Sequence, residues 1–207
     1  DVNALTLGEY NYAGGRGRQN LVCLWVGNGL GAGIVSNGHL ITGTTGSAGE
    51  IGYNELSLGI SLSRSLLVER ENKDWGDTLS HVNLVRAINK GVSDGWQTSL
   101  RTDASISELA AAANEADPLA LHILNLYGAL LGSVCTNIIY AYNPAELVLH
   151  GTLFYETNIL LDEVRRCVNQ GLLRSPVEAV NIRTSSLGIH AMLIGAATLV
   201  LRDGIAE

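Results

Sequence analysis

The stretch Gly27-Asn28-Gly29-Leu30-Gly31-Ala32-Gly33 places a glycine at every second position. Missing side chains let a backbone come close to a ligand, adopt positive φ where needed, and offer N–H groups to an anion, commonly a phosphate. The Gly-x-Gly-x-x-Gly dinucleotide spacing fits poorly, because no helix pattern comes after it. The chain continues instead with Ile34-Val35, the turn Ser36-Asn37-Gly38, and His39-Leu40-Ile41. A tightly packed hairpin accounts for the same glycines equally well. Two carboxylates add possible chemistry. Glu50 sits among glycines and small residues, where a solvated loop carboxylate is the plain reading. Asp1 would ordinarily cap the helix that starts beside it. The histidines at 39, 81, 122, 150 and 190 are isolated, and no Ser-His-Asp or Cys-His spacing supplies a nucleophile.

A second motif comes shortly after the first: Gly43-Thr44-Thr45-Gly46-Ser47-Ala48-Gly49-Glu50-Ile51-Gly52-Tyr53. Together the two resemble the ROK family, sugar kinases and sugar-responsive repressors of the actin-like ATPase superfamily. That family's pattern reads approximately Gly-Thr-Gly-Ile-Gly-Ala-Gly, a short hairpin, then Ala-Gly-Glu-Ile-Gly-His. Asp1-Val2-Asn3-Ala4 is similar to the family's Asn-Asp-x-Asn-Ala segment, entered one residue late. Asn143 to Gly151 and Leu187 to Ala197 resemble its late strand and last helix. The resemblance covers nearly the whole chain.

The resemblance implies roles for particular residues. In the kinases the aspartate matching Asp1 is the general base toward the sugar hydroxyl, a task a carboxylate can perform at neutral pH. Asn3 supports it, and Glu50 hydrogen-bonds sugar hydroxyls, which a carboxylate does well as a multiple acceptor. Gly27, Asn28, Gly29, Gly31 and Gly151 would face ATP phosphates if ATP binds, with magnesium then required. Two departures matter. Tyr53 stands where the kinases have a histidine that contacts the sugar and ligates a structural zinc, and no cysteine lies between 24 and 134. A phenol is no usual zinc ligand and the thiolates are missing, so no zinc is expected. Tyr53 could still contact a sugar, and Glu69 corresponds to the zinc motif's terminal glutamate if the loop is shortened. In the late strand the kinases carry a Gly-Gly-Gly turn, whereas this chain has His150-Gly151-Thr152. That change weakens the case for a nucleotide.

The elements that must position these residues read as α/β. The chain opens with a helix to residue 14, then strands within 21–26, around 34–35 and 39–41. Residues 77–89 form a helix capped by Asp77 and stopped by Gly91, and 105–116 a helix with a Ser105/Glu108 capping box. A long apolar helix runs from Asp117-Pro118 to Tyr142, then a buried strand over 146–150. An amphipathic helix over 158–170, a strand over 177–183 and a last helix over 190–202 complete the order, while 56–67 shows no clear period. Pattern alone gives α/β; the actin-like (ribonuclease H-like) lobe, a mixed sheet with flanking helices, comes from the resemblance.

The 207 residues suffice for a sizeable core. A net charge of −7 with two lysines argues against a DNA-binding surface on this chain. Three widely separated cysteines offer no disulfide framework and suit a reducing cytoplasm. No unbroken apolar run reaches about eighteen residues, so no membrane span is expected. Asp1 falls inside a family motif, so residues 1–207 are expected to be a C-terminal sugar-binding and oligomerising lobe. The N-terminal lobe and any helix-turn-helix would lie outside it. The leading expectation is a sugar-responsive regulator, homodimeric, reaching DNA only through that other domain. An ATP-dependent hexose kinase fragment is the alternative, and a degenerate lobe kept for subunit contact the third.

Overall fold

The computed structural model describes residues 1–13, 17–54, 66–67 and 74–204. Among them lies a sheet of five strands: β1 (Leu21–Val26), β2 (Leu30–Ser36), β3 (His39–Ile41), β4 (Glu146–His150) and β5 (Asn181–Thr184), in the spatial order β3-β2-β1-β4-β5. The β1–β2 and β2–β3 pairs are antiparallel, as short turns require, while β4 joins β1, and β5 joins β4, in parallel. β4 is buried at every position, as a strand covered on both faces must be.

Strand alternation sends side chains to two different layers. Val22, Leu24, Val26, Leu30, Ala32, Ile34, Leu147 and Leu149 join the larger core. Over it lie α3 (His81–Ser93), α4 (Ile106–Asn114), α5 (Pro118–Tyr142) and α7 (Ile159–Val168). Leu21, Cys23, Val35 and Val148 point to the opposite face, under α1 (Val2–Tyr12) and α9 (Ala191–Gly204). Those two helices pack closely because Gly8 and Gly195 face each other's backbones: a Cβ on Gly195 would stand 1.6 Å from the Ala4 carbonyl oxygen.

Helix α5 is started by Asp117, whose carboxylate accepts from the Ala120 N–H, with Pro118 in the first turn. Asn143, left-handed at φ 43°, ends it. Despite lacking an unbroken apolar run, α5 is long and apolar enough to cross a bilayer by length and composition. Its apolar faces are instead met by α3, α4, α7 and α8 (Arg174–Ala179).

Several expected boundaries move. The helix expected over 77–89 divides into α2 (Trp75–Thr78), capped by Asp74, and α3, capped by Ser80 rather than Asp77. Gly91 lies inside α3, where a Cβ would stand 2.3 Å from Leu119 Cδ1, so it serves packing and not termination. The strand expected over 177–183 is the end of α8 and then β5. A short helix, α6 (Thr152–Glu156), comes after β4 where none was expected. The Ser105/Glu108 capping box forms as expected. Most of 56–67 lies outside the described residues.

Candidate functional site

Asp1 and Asn3 stand on the first turn of α1, which lies across β2. Gly31 and Gly33 make this crossing possible. They belong to β2, not to the turn, and a Cβ would come within 3.2 Å of the Val2 side chain at Gly31 and 1.9 Å of the Thr6 hydroxyl at Gly33. The turn proper is Gly27-Asn28-Gly29, closed by the Gly27 N–H donating to the Gly29 carbonyl at 3.0 Å. The expectation that every second glycine serves one open loop therefore fails for Gly31 and Gly33, whose missing side chains make room for a helix.

The Gly49-Glu50-Ile51-Gly52 segment presses on the same strand. Ala32 N–H donates to the Gly49 carbonyl at 2.8 Å. Gly49 has φ +92° and would place a Cβ 1.7 Å from the Ala32 carbonyl oxygen, and Gly52 one 2.5 Å from that of Leu30. Two glycines thus pin the segment flat against β2, and Glu50 between them is left exposed. The outcome is a cleft of about 210 Å³ lined by Asp1, Asn3, Gly31, Gly46, Ala48 and Glu50 among others. Asp1, Asn3 and Glu50, three of the five residues expected to contact substrate, meet there.

Tyr53 does not join them. It closes a single 3-10 turn (Ile51–Tyr53) and is 77% exposed on the other side of Glu50. There a second cleft of about 270 Å³ is lined by Asn28, Gly29, Glu50, Tyr53, Asp74 and Asp77 among others. Glu69 lies outside the described residues. Both helix starts at these clefts are already capped by carboxylates: Asp1 accepts from the Val2 N–H at 2.6 Å, and Asp74 from the Asp77 N–H at 2.7 Å.

The described residues present no donor set of the zinc type. Tyr53 offers a phenol, while Cys23 and Cys135 are buried in cores on opposite faces of the sheet. Burial pushes both thiols well above their ordinary range, which disfavours the thiolate a metal needs. Among the described residues no group of three or more His, Cys, Asp or Glu could hold a metal. The cleft at the residues expected to face ATP phosphates has no lysine or arginine among its described lining. Gly151, at φ +136°, allows contact with β1, since a Cβ would stand 2.1 Å from the Val26 carbonyl oxygen. The Gly27-Asn28-Gly29 turn opens toward Glu50, Asp74 and Asp77.

Sequence reasoning missed a buried polar cluster beneath α1. Arg183 of β5 donates to Glu9 at 3.1 Å and to Glu146 at 3.0 Å, and both carboxylates are almost fully buried. Ser185 also donates to Glu9. His150 is fully buried, with Nδ1 3.0 Å from the Tyr155 hydroxyl and Nε2 3.6 Å from Glu9 Oε1. Burial first, and then the Arg183 charge, lower the His150 pKa to about 3. Glu9 lies farther from His150, at 3.6 Å, than from Arg183, at 3.1 Å, and does not reverse this. A charged residue flanked by apolar ones, as Glu146 is by Ala145 and Leu147, was the available signal. His150, isolated along the sequence, is part of this cluster in space.

The ROK family model matches residues 1–203. The DNA-binding transcriptional dual regulator NagC of Escherichia coli K12 is 28% identical over 207 residues, covering 98% of this chain and 49% of the regulator. A glucokinase of Halalkalibacterium halodurans is 26% identical, covering 97% of this chain and 62% of the enzyme. The chain thus spans about half the length of the regulator and under two thirds of the kinase. Among solved structures, a ROK family transcriptional regulator homologous to the E. coli MLC protein superposes with a TM-score of 0.82 at 25% identity, covering 95% of this chain and 49% of that one. A ROK glucokinase from Streptomyces griseus, solved with glucose and AMPPNP, gives 0.79 at 24% identity, covering 96% and 65%, and so bears on the fold alone. With its mixed sheet, flanking helices and both motifs packed on β2, the chain belongs to the ROK family and has its actin-like fold.

Proposed function

We propose that this chain is the effector-binding half of a sugar-responsive transcriptional regulator. The observation that carries the reading is the meeting of Asp1, Asn3 and Glu50 in one cleft, beside a glycine turn that opens onto carboxylates. Carboxylates and an amide suit sugar hydroxyls, which donate and accept at once. A nucleotide triphosphate would need cations or free backbone N–H groups there, and the nearby helix starts are already capped. The N-acetylglucosamine repressors among the relatives support the same reading. On it, DNA is reached through a domain outside residues 1–207, the protein is a cytoplasmic homodimer, no zinc or other cofactor is needed, and 1–207 is the sugar-binding and oligomerising lobe.

The test is calorimetric titration of the full-length protein with monosaccharides and ATP, combined with operator binding. One sugar should bind without ATP and change operator affinity, and Glu50→Gln should weaken that sugar at least about tenfold, the loss of a charged hydrogen-bond acceptor. The second reading, an ATP-dependent hexose kinase, is favoured by the glucokinase relatives and by Asp1, an exposed carboxylate in the same cleft. Under it Asp1 is the general base and ATP with magnesium is required. Sugar-dependent ATP turnover that Asp1→Ala lowers by about 10²-fold or more, as loss of a general base does, would replace the regulator with the kinase.

A further inference from the structure

Resting on the homodimer of that reading, we infer that the solvent face of α5, together with Leu172 and Leu173, is the surface on which a second copy of this chain docks across a two-fold axis.

Helix α5 runs for 25 residues and turns one face to solvent, yet no Asp, Glu, Lys or Arg occurs from 118 to 145. A surface helix ordinarily carries charged residues on its outer face. The exposed positions along its second half are instead Ser133, Asn137, Tyr140, Ala141 and Tyr142. Ser133, Asn137 and Tyr140 follow one another at helical spacing, so they form one stripe. At its end the stripe meets the turn between α7 and α8. There the Tyr140 hydroxyl accepts from the Leu173 N–H at 2.9 Å, and a Cβ on Gly171 would stand 2.7 Å from the same oxygen. That turn presents Leu172, 98% exposed, and Leu173, 57% exposed. Two leucines held outside the core beside a neutral helix face mark a contact surface.

Charge selects the occupant. The chain carries a net charge of −7, so two copies repel unless they meet where neither is charged. The exposed arginines of α7 and α8 do not alter this, because Arg166 is paired with Glu163 and Arg174 with Glu178. A nucleic acid or an anionic membrane would need unpaired cations here. A strongly charged protein would bury its charges against a face that offers none in return. A two-fold contact sets each residue near the axis against its own copy. Charges of one sign are excluded there, whereas side chains that both donate and accept can pair with themselves, as Ser133, Asn137 and Tyr140 can. Ser133 and Ala141 are also small, which lets a second helix lie close.

The experiment is sedimentation equilibrium of the full-length protein and its variants. The wild type should be a dimer. Asn137→Asp and Asn137→Lys, both at an exposed site, should each weaken self-association at least about tenfold, because like charges then face each other. Mixed in equal amounts, the two should associate to within about threefold of the wild type, since opposite charges meet across the axis. Leu172→Asp should weaken the dimer too, and Val200→Asp, at a 71% exposed site on α9, should not. A dimer left intact by Asn137→Asp and Leu172→Asp, no recovery on mixing, or a dimer lost only in Val200→Asp overturns the inference and leaves the homodimer standing. A monomeric wild type overturns both. Sugar titration of the same samples tests the effector reading independently of either.

Discussion

One face of the sheet carries a broad apolar core under α3, α4, α5 and α7, whereas the other, beneath α1 and α9, surrounds a charge cluster with a far smaller set of buried apolar residues among those described. In the first, the large buried polar side chain Tyr127 is satisfied by donating to the Leu79 carbonyl at 2.7 Å. In the second, Glu9 and Glu146 share Arg183, and His150 stands against Glu9. Apolar contact is non-directional, so the first face supplies stability with little demand on orientation. Charged hydrogen bonds are directional, and Glu9 fixes one half of α1 while Asp1 and Asn3 occupy its other end. Asp1 and Asn3, two of the residues proposed to face ligand, are carried by the helix that these charges hold.

The largest test of that contrast is Arg183→Met, which takes the shared cation from two buried carboxylates and leaves Glu146 with the more exposed Arg18 at 3.6 Å and Glu9 with the Ser185 hydroxyl. It should cost about 3–5 kcal/mol in urea unfolding, and replacing Glu9, Glu146 and Arg183 together by apolar residues should recover most of the loss. A cost below about 1 kcal/mol for the single change would mean the cluster does not hold the second face.

Leu124→Ala, on the apolar face, should cost about 3 kcal/mol through lost transfer and a cavity. Unlike Arg183→Met, it should leave the pH dependence of stability unaltered.

His150 provides that pH test. Its pKa lies near 3 in the folded protein, against an ordinary value of 6.5, so below pH 6.5 the unfolded state binds a proton that the folded state refuses. Stability is therefore full above that pH and falls between about pH 6.5 and 3, with a limiting slope of about 1.4 kcal/mol per pH unit. Burial lowers the His81 pKa too, so its contribution has the same sign. His150→Gln should flatten the slope measured by denaturation across pH 4–7; an unchanged slope would show that His150 is not a source of the acid sensitivity.

Smaller still is Tyr127→Phe, which strands the Leu79 carbonyl and should cost about 1–2 kcal/mol. The exposed Lys90–Asp94 pair, in contrast, should contribute less than about 0.5 kcal/mol, and its removal serves as the control.

The strands within 21–26 and 146–150, the long helix and the Ser105 cap were legible because their signals are local: apolar runs, periodicity, Pro118 and a serine three residues before a glutamate. Residues 177–183 were misread because Val and Ile favour strands while the short helix α8 is held by packing on α5. The Ser80 cap competed with an equally good candidate at Asp77, and only the chain's path chose between them.

By itself the sequence determined the family and the α/β plan, and it singled out Asp1, Asn3 and Glu50 as candidates, because motif spacing and hydrophobic period are written along the chain. Tertiary structure alone decided which of them meet. It assigned Gly31 and Gly33 to seating a helix, set Tyr53 across Glu50 from Asp1, and buried His150 beside Glu9. Those outcomes depend on contacts between residues distant along the chain, from Thr6 with Gly33 to Glu9 with His150, and no local pattern encodes them.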